Sequence, residues 1–120
     1  MQVKQVMNKG VRVISEESKL KDALERMKKH NTGILLVKDD RRVGGILSSK
    51  DVLMKNGNGR LNDLKVRDVM NSDVRFVYED QPVQLIRIIM DTKRLDHLVV
   101  LNRENRITGI CTRKNLDSGF

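Results

Sequence analysis

The stretch VKQVMN at residues 3–8 returns as VRDVMN at residues 66–71, 63 positions later. The same offset pairs Met27 with Met90 and the apolar run 35–37 with the run 98–100. One residue is then inserted, and GILSSKD at residues 45–51 returns as GICTRKN at residues 109–115. Because self-similarity at a fixed period marks one structural unit used more than once, we predict two repeats, residues 1–60 and 61–120.

Each repeat has the pattern of a strand, a helix, a hairpin and a short final helix. Apolar residues at positions 20, 23, 24 and 27 follow helical spacing, and the β-prone runs 34–37 and 43–47 flank a polar turn. The sequence therefore predicts an α+β fold of two β-α-β-β-α repeats. A unit of this size buries little alone, so we expect the two to pack with pseudo-twofold symmetry and to leave two ligand-sized clefts.

Local signals mark where these elements begin and where the repeats are joined. The strands before each long helix are predicted at residues 11–14 and 74–77. The segments EES at 16–18 and DQP at 80–82 are typical of helix N-termini, with Pro82 expected in the first turn. The segment NGNG at 56–59 is expected to be a flexible linker.

The composition excludes several classes of protein. No apolar run is long enough to span a membrane, and no signal segment opens the chain, so a cytoplasmic location is expected. One cysteine and two histidines cannot form a disulfide or a tetrahedral zinc site. No nucleophile–base pair or paired carboxylates recur at workable spacing, so we expect no enzymatic activity and no cofactor.

The net charge of +8 indicates an anionic ligand or a solvated basic surface. Residues 1–60 carry 14 Lys/Arg and 7 Asp/Glu, whereas residues 61–120 carry 10 and 9. A nucleic-acid partner is the less favoured interpretation, because three aromatic residues leave almost nothing to stack on bases.

The segment GILSSKD and its copy are the most informative for function. Each leads from a strand into a helix at a hydroxyl residue, Ser48 or Thr112, with Asp51 or Asn115 three positions later. This spacing resembles a capping box, which would make the residues purely structural. The same geometry also suits a nucleotide, because a helix N-terminus favours phosphate and a carboxylate accepts both ribose hydroxyls. The residues alone leave both interpretations open.

Taken in order and twice, these motifs resemble the CBS-domain family, named for cystathionine beta-synthase, over nearly the whole chain. The resemblance implies a regulatory tandem module that binds adenosine-containing ligands such as AMP, ADP, ATP or S-adenosylmethionine. It implies that Asp51 or Asn115 holds the ribose and that Ser48 or Thr112 lies near the phosphate, with strand backbones lining the adenine. It further implies two adenine slots, which comprise Val13, Ile14, Thr32, Gly33, Ile34 and Leu35 in one cleft, and Phe76, Val77, Leu95, Asp96, His97 and Leu98 in the other.

Basic residues near these motifs are candidates for phosphate contacts, with plain surface solvation as the alternative for each: Lys50, Arg94, Arg113 and Lys114. His97 could contact base or phosphate, or be a partly buried structural histidine. Asn115 offers only one acceptor group where Asp51 offers two and a charge. We therefore predict that the second cleft binds ribose more weakly, by roughly 1–2 kcal/mol for one lost charge-assisted hydrogen bond.

The two long helices differ on one face. Asp22, Glu25 and Arg26 are replaced in the second repeat by Leu85, Ile88 and Ile89. An apolar face on a surface helix usually meets a partner, so we expect a homodimer through the helix Pro82–Asp91. The alternative is that this face is buried within the monomer.

The leading functional prediction is a stand-alone regulatory module that binds an adenosyl nucleotide and passes the signal to an effector protein that the sequence does not name. The alternatives are a structural dimerisation or interaction module with empty clefts and, less favoured, a basic nucleic-acid-binding protein. A membrane partner and a metal site are not expected.

Overall fold

The computed structural model of the 120-residue chain describes residues 1–40, 42–55 and 63–117, with the Lys55 side chain left out. The predicted linker at residues 56–59 lies outside the described residues. Within them, both repeats contain the predicted order of strand, helix, two strands and short helix, so the α+β assignment is confirmed.

The elements of the first repeat are β1 (Val13–Ser15), α1 (Leu20–Lys29), β2 (Ile34–Asp39), β3 (Arg42–Ser48) and α2 (Ser49–Lys55). Those of the second are α3 (Val66–Val69), β4 (Phe76–Tyr78), α4 (Val83–Lys93), β5 (His97–Leu101), β6 (Ile107–Thr112) and α5 (Arg113–Asp117). A turn of 3₁₀ helix at Val3–Gln5 occupies the position that α3 holds in the second repeat. Strands β1 and β4 begin two residues later than predicted, because their pairing with β2 and β5 starts only at Val13 and Phe76.

Each repeat forms a three-stranded sheet with the same topology. In the order β1-β2-β3, β1 runs parallel to β2 and β3 runs antiparallel to it. The order β4-β5-β6 repeats this arrangement. Because the long helix is the connection between the parallel strands, it can cover one face of its sheet.

The compact units of the molecule do not coincide with the sequence repeats. One unit comprises Arg12–Val74, and the other comprises Met1–Val11 together with Arg75–Phe120. We call residues 3–8 and 66–71 the leading segments. Each leading segment therefore belongs to the unit whose sheet and long helix come from the other repeat.

Equivalent backbone hydrogen bonds hold the two leading segments. Val66 N donates to Ser18 O at 2.9 Å, and the equivalent Val3 N donates to Gln81 O at 3.0 Å. Farther along, Asn71 bridges Ile46 in one unit, and Asn8 bridges Ile110 in the other. Each bridge consists of two backbone hydrogen bonds of 2.9–3.0 Å. The segment therefore extends the edge of β3 or β6.

Each unit has its own hydrophobic core, which includes residues of its leading segment. In the unit Arg12–Val74, the predicted face of α1 is buried against β2, β3 and α3, with Leu20 fully buried and Met27 5% exposed. In the other unit, Met90 and Val3 are fully buried in the same cluster. Cys111 is also fully buried there, as predicted for a small core residue, and burial raises the pKa of its thiol to about 11.

The helix N-termini differ from the sequence-based expectation. Helix α1 begins at Leu20 after the cap residue Lys19. The Glu17 carboxylate accepts hydrogen bonds from the side chains of Lys65, just before the leading segment, and of Arg67 within it, each at 2.8 Å. Pro82 is the cap residue of α4 rather than a member of its first turn. A proline can take this extended position because its fixed φ of about −65° suits both conformations.

The division into compact units also changes the meaning of the charge. The unit Arg12–Val74 contains 14 Lys/Arg and 10 Asp/Glu, and the other unit contains 10 and 6, so each has a net charge of +4. The concentration of charge in the first half of the sequence therefore does not extend to the folded units. Among the described residues, the helices are all too short or too polar to cross a membrane.

Candidate functional site

The first candidate site lies where β3 passes into α2, which we call the first junction (Gly33, Ser48, Ser49 and Asp51). The Asp51 backbone N–H donates to Ser48 Oγ at 3.1 Å, and Ser48 is only 6% exposed. Within the described part of the chain, the Ser48 hydroxyl donates to no acceptor and the Asp51 carboxylate has no hydrogen-bond or ion-pair partner. Only half of a capping box is therefore formed at this junction. A buried hydroxyl normally donates its proton to an acceptor. Among the described residues, the Ser48 hydroxyl proton and the Asp51 carboxylate thus remain available for a ligand.

Small residues surround this junction. Ser49 N donates to Gly33 O at 2.8 Å. This hydrogen bond holds the loop between α1 and β2 against the first residue of α2. A Cβ atom added at Gly33 would lie 3.1 Å from Ser49 Oγ, tighter than an ordinary contact. Any side chain at position 33 would therefore crowd the junction.

The second candidate site, the second junction (Asp96, Thr112, Arg113 and Asn115), lies at the equivalent passage from β6 into α5 but has different side-chain bonding. Asn115 Oδ1 accepts from Thr112 N at 2.9 Å and from Thr112 Oγ1 at 3.0 Å, while Asn115 N donates to Thr112 Oγ1 at 3.3 Å. Asn115 Nδ2 also donates to Asn8 Oδ1 at 3.3 Å. The capping box is complete here, so the structural interpretation of the motif holds for the second repeat.

Arg113 binds two carboxylates and a carbonyl beside the second junction. Its guanidinium lies 2.6 Å from Asp91 Oδ1 and 3.6 Å from Asp96 Oδ1, and it donates to Met90 O at 3.0 Å. Hydrogen bonding to Asp91 raises the pKa of Arg113 above its already high value. Arg113 is thus paired with protein carboxylates, which competes with its predicted role toward phosphate.

The predicted adenine-slot residues are divided between core and surface. Four of them, Ile14, Leu35, Val77 and Leu98, have side chains buried in the hydrophobic cores, so only their backbones could line a slot. The others are half-buried or exposed: Val13, Thr32, Gly33, Ile34, Phe76, Leu95, Asp96 and His97. Their role toward adenine stays a prediction.

The remaining phosphate candidates differ in their surroundings. Lys50 is exposed beside Asp51 and, among the residues that the structure describes, has no partner. Arg94 is exposed and ends α4 in the left-handed conformation, with φ of 53°. Lys114 and His97 both have interaction partners. Lys50 is therefore the cation best placed to meet a ligand at the first junction.

Two features of these sites were missed by the sequence analysis. The first is the contrast between Gly33 and Asp96, which are equivalent at the 63-residue offset, and between Ser49 and Arg113. Aligning the repeats position by position would have revealed it. The second is Asn8, whose contact with Asn115 could not be found from the sequence because the two residues are 107 positions apart.

A surface groove of about 440 Å³ lies elsewhere, along α1, and is lined by Asp22, Glu25, Arg26, Lys29 and His30. Its mixed charges favour no single class of ligand, and cations in the last turn of a helix also complement its dipole. Burial, followed by the charges of Arg12, Lys29 and Arg26, lowers the pKa of His30. Among the described residues, no cluster of His, Cys, Asp or Glu could hold a metal ion. The first junction is therefore the better candidate site.

Comparison with known proteins identifies related chains. An uncharacterized 17.7 kDa protein of Acidianus ambivalens is 31% identical over 115 residues, which cover 95% of this chain and 70% of that protein. Homoserine O-acetyltransferase of Methanosarcina acetivorans is 28% identical over 98% of this chain, which spans only 22% of that enzyme. Hypoxic response protein 1 of Mycobacterium tuberculosis is 25% identical, with 92% and 79% covered.

Solved structures share the fold. The conserved CBS domain protein TA0289 of Thermoplasma acidophilum superposes with a TM-score of 0.84 at 24% identity, covering this whole chain and 69% of that one. The CBS domain pair of MJ0100, solved in complex with 5′-methylthioadenosine and S-adenosyl-L-methionine, superposes with a TM-score of 0.83 at 22% identity, covering 100% and 95%. The CBS domain family itself matches residues 3–56 and 66–118. The chain therefore belongs to the CBS domain family, with two CBS domains in tandem.

Proposed function

We propose that this chain is a regulatory module that binds an adenosine-containing ligand at the first junction. The observation that carries the proposal is a pair of polar groups there, the Asp51 carboxylate and the Ser48 hydroxyl proton, that have no partner among the described residues. Membership of the CBS domain family supports it, as does the MJ0100 domain pair, whose solved complex contains two adenosyl compounds.

The chemistry of the junction suits a ribose. An ionised carboxylate is an acceptor only, and two neighbouring hydroxyls can donate to its two oxygens. Such charge-assisted hydrogen bonds are about twice as strong as neutral ones. Ser48 can donate to a ring or phosphate oxygen while it continues to accept from Asp51 N. Lys50, one residue away, supplies a positive charge for a phosphorylated ligand. The position of the adenine in a cleft between the repeats stays a prediction.

The proposed role is binding rather than catalysis. Cys111 is a poor nucleophile, because it is fully buried and its pKa is raised to about 11. A single thiol without a disulfide partner suits a reducing compartment, and we propose a cytoplasmic location. Regulation requires that the ligand binds one conformation more tightly than another. We propose that the change is passed to an effector protein.

Thermal melts with AMP, ADP, ATP, S-adenosylmethionine and NADH test the proposal. A ligand at a hundred times its dissociation constant stabilises the folded chain by about 2.7 kcal/mol, which raises the melting temperature by several degrees. The control is Asp51→Asn, which keeps the size of the side chain and should reduce the shift. Melts that stay flat for all five compounds would contradict the proposal and favour the interaction module with empty clefts.

We also propose a homodimer through the exposed face of α4. Leu85 is 40% exposed and Ile88 is 61% exposed, whereas Ile89 packs partly against the core of its own unit. The equivalent face of α1 is charged, with Asp22 and Glu25 exposed. The apolar face is therefore better matched by a second α4 than by α1.

Light scattering of Ile88→Lys tests this interface. We expect the wild type to have the mass of a dimer and the variant that of a monomer, because the lysine charge would be buried against an apolar surface. The matched control is Glu25→Lys at the equivalent position of α1, which should stay dimeric. A dimeric Ile88→Lys protein would exclude this surface.

A further inference from the structure

The two junctions lie at equivalent passages from a strand into a short helix, but they differ at three equivalent positions. Gly33 corresponds to Asp96, Ser49 to Arg113, and Asp51 to Asn115. In the first junction these residues are small, apart from a carboxylate with no partner in the described part of the chain. In the second, all three side chains take part in polar contacts with the protein.

Arg113 links three parts of its unit. It joins α5, to which it belongs, to the end of α4 through Asp91 and Met90 O, and to the start of β5 through Asp96. Its side chain is 43% exposed, and those of Asp91 and Asp96 are 61% and 72% exposed. Arg113, Asp91 and Asp96 thus form an exposed ion-pair network in the region where the first junction has only Gly33 and Ser49.

The side chain of Asn115 is likewise engaged in hydrogen bonds within the protein. Its oxygen accepts two hydrogen bonds from Thr112, and its amide group donates to Asn8. A ribose at Asn115 would have to replace these bonds, and breaking hydrogen bonds without equivalent replacement costs free energy. The carboxylates of Asp91 and Asp96 would also repel a phosphate.

We infer that the second junction is closed by Arg113, Asp96 and Asn115, so that the chain binds one ligand, at the first junction only. This inference rests on the proposed function. It makes position 113 a determinant of binding stoichiometry: a small residue leaves the junction open, and the paired arginine closes it. The two junctions have thereby acquired different roles, binding in the first and structural support of the leading segment in the second.

Isothermal titration with AMP, and separately with S-adenosylmethionine, tests the inference. We expect the wild type to bind one molecule per chain, and Asp51→Asn to bind roughly tenfold more weakly, as for one lost charge-assisted hydrogen bond. The triple variant Asp96→Gly, Arg113→Ser, Asn115→Asp gives these three positions the residues of the first junction, keeps the Thr112 hydroxyl, and should bind two molecules per chain. Arg103→Ser, which removes a different exposed ion pair of the same unit, is the control and should still bind one.

The outcomes separate the two proposals. If neither compound binds the wild type, the proposed function fails and this inference fails with it. If the wild type binds two molecules, the proposed function stands and the closed second junction is wrong. If it binds one molecule that is unaffected by Asp51→Asn, the ligand is not held at the first junction, and both proposals are wrong. The wild type and Asp51→Asn decide this even if the triple variant does not fold, which its melting curve would show.

Discussion

The two leading segments begin with the same kind of turn. In the unit Arg12–Val74, Lys65 N donates to Asp68 Oδ2 at 2.8 Å. At the equivalent place in the other unit, Gln2 N donates to Gln5 Oε1 at 2.7 Å. The residue types differ, and the turn is the same. Both turns position a buried valine, Val66 or Val3, in the core of the unit. The two units therefore keep the same hydrogen bond from a backbone N–H to a side chain, and the same buried valine, although the residue types differ.

The exposed side chains of the two units have diverged. Glu17 pairs with Lys65 and Arg67 and so holds its leading segment. The equivalent Asp80 instead accepts two hydrogen bonds of 2.9 Å from Arg103, whose guanidinium also lies 4.1 Å from the centre of the Tyr78 ring. Surface positions can diverge in this way because exposed ion pairs contribute little to stability. The two units therefore differ mainly in polar side chains, including those of the two junctions.

The largest expected effect comes from cavities at equivalent core positions. Leu35→Ala and Leu98→Ala each remove a fully buried side chain from one core, so each should lower the free energy of unfolding by about 2–5 kcal/mol. Urea denaturation followed by circular dichroism measures both. Leu53→Ala is the control, because Leu53 is 75% exposed and its loss should change stability by less than about 0.5 kcal/mol. A large loss for only one of the two core variants would show that the units are not equivalent.

A smaller effect is expected where a leading segment passes closest to its sheet. A Cβ atom at Gly45 would lie 2.9 Å from Asn71 O, and one at Gly109 would lie 2.7 Å from Asn8 O. Because these are backbone atoms, the segment must move, and Gly45→Ala and Gly109→Ala should each cost about 1–3 kcal/mol.

Hydrogen exchange locates that change. The amide protons of Asn71 and Asn8, which donate to Ile46 O and Ile110 O, should exchange faster in the variant of their own unit. Gly10→Ala is the control, since its added Cβ would have no atom within 4 Å. Unchanged exchange in both variants would mean that the leading segments adapt without loosening.

The smallest effect is expected from the diverged ion pairs. The hydrogen bond from Lys65 is the main cause of the lowered pKa of Glu17, and that from Arg103 lowers the pKa of Asp80. A carboxylate whose pKa is lower in the folded state stabilises the fold above its unfolded pKa, near 4.5 for Glu17, and loses this stabilisation as the pH falls through the folded value.

Melting curves of Glu17→Gln and Asp80→Asn against wild type follow this effect. Each variant should melt slightly below wild type at pH 7, and the gap should shrink as the pH falls below the unfolded pKa values, near 4.5 for Glu17 and 3.8 for Asp80. It should also shrink in about 1 M salt, where exposed charges are screened. A gap that persists under both conditions would assign the effect to packing rather than charge.

Much of the fold could be predicted from the sequence, because the helices and strands depend on local sequence patterns. Helical spacing predicted the buried face of α1, and apolar runs predicted the hairpins to within a residue or two at most ends. The sequence did not predict which compact unit contains each leading segment. The apolar residues of a segment such as VKQVMN predict that it is buried. They do not predict which sheet edge it pairs with, because that depends on contacts far apart in the chain.

The candidate site shows the same division. The motif GILSSKD placed Ser48 and Asp51 together, since a strand that turns into a helix positions residues three apart on one end. Whether their polar groups are free depends on side-chain orientation. Thr112 and Asn115 have the same spacing, yet they bond to each other and to Asn8.

The sequence by itself therefore determined the repeat, the order of the elements and the family, because these depend on periodicity and short motifs. Only the tertiary structure decided how the leading segments are shared, that each unit has a net charge of +4, and that one junction keeps an unpaired carboxylate within the described residues. Those properties depend on contacts between residues far apart in the chain, such as Asn8 with Asn115 and Glu17 with Lys65.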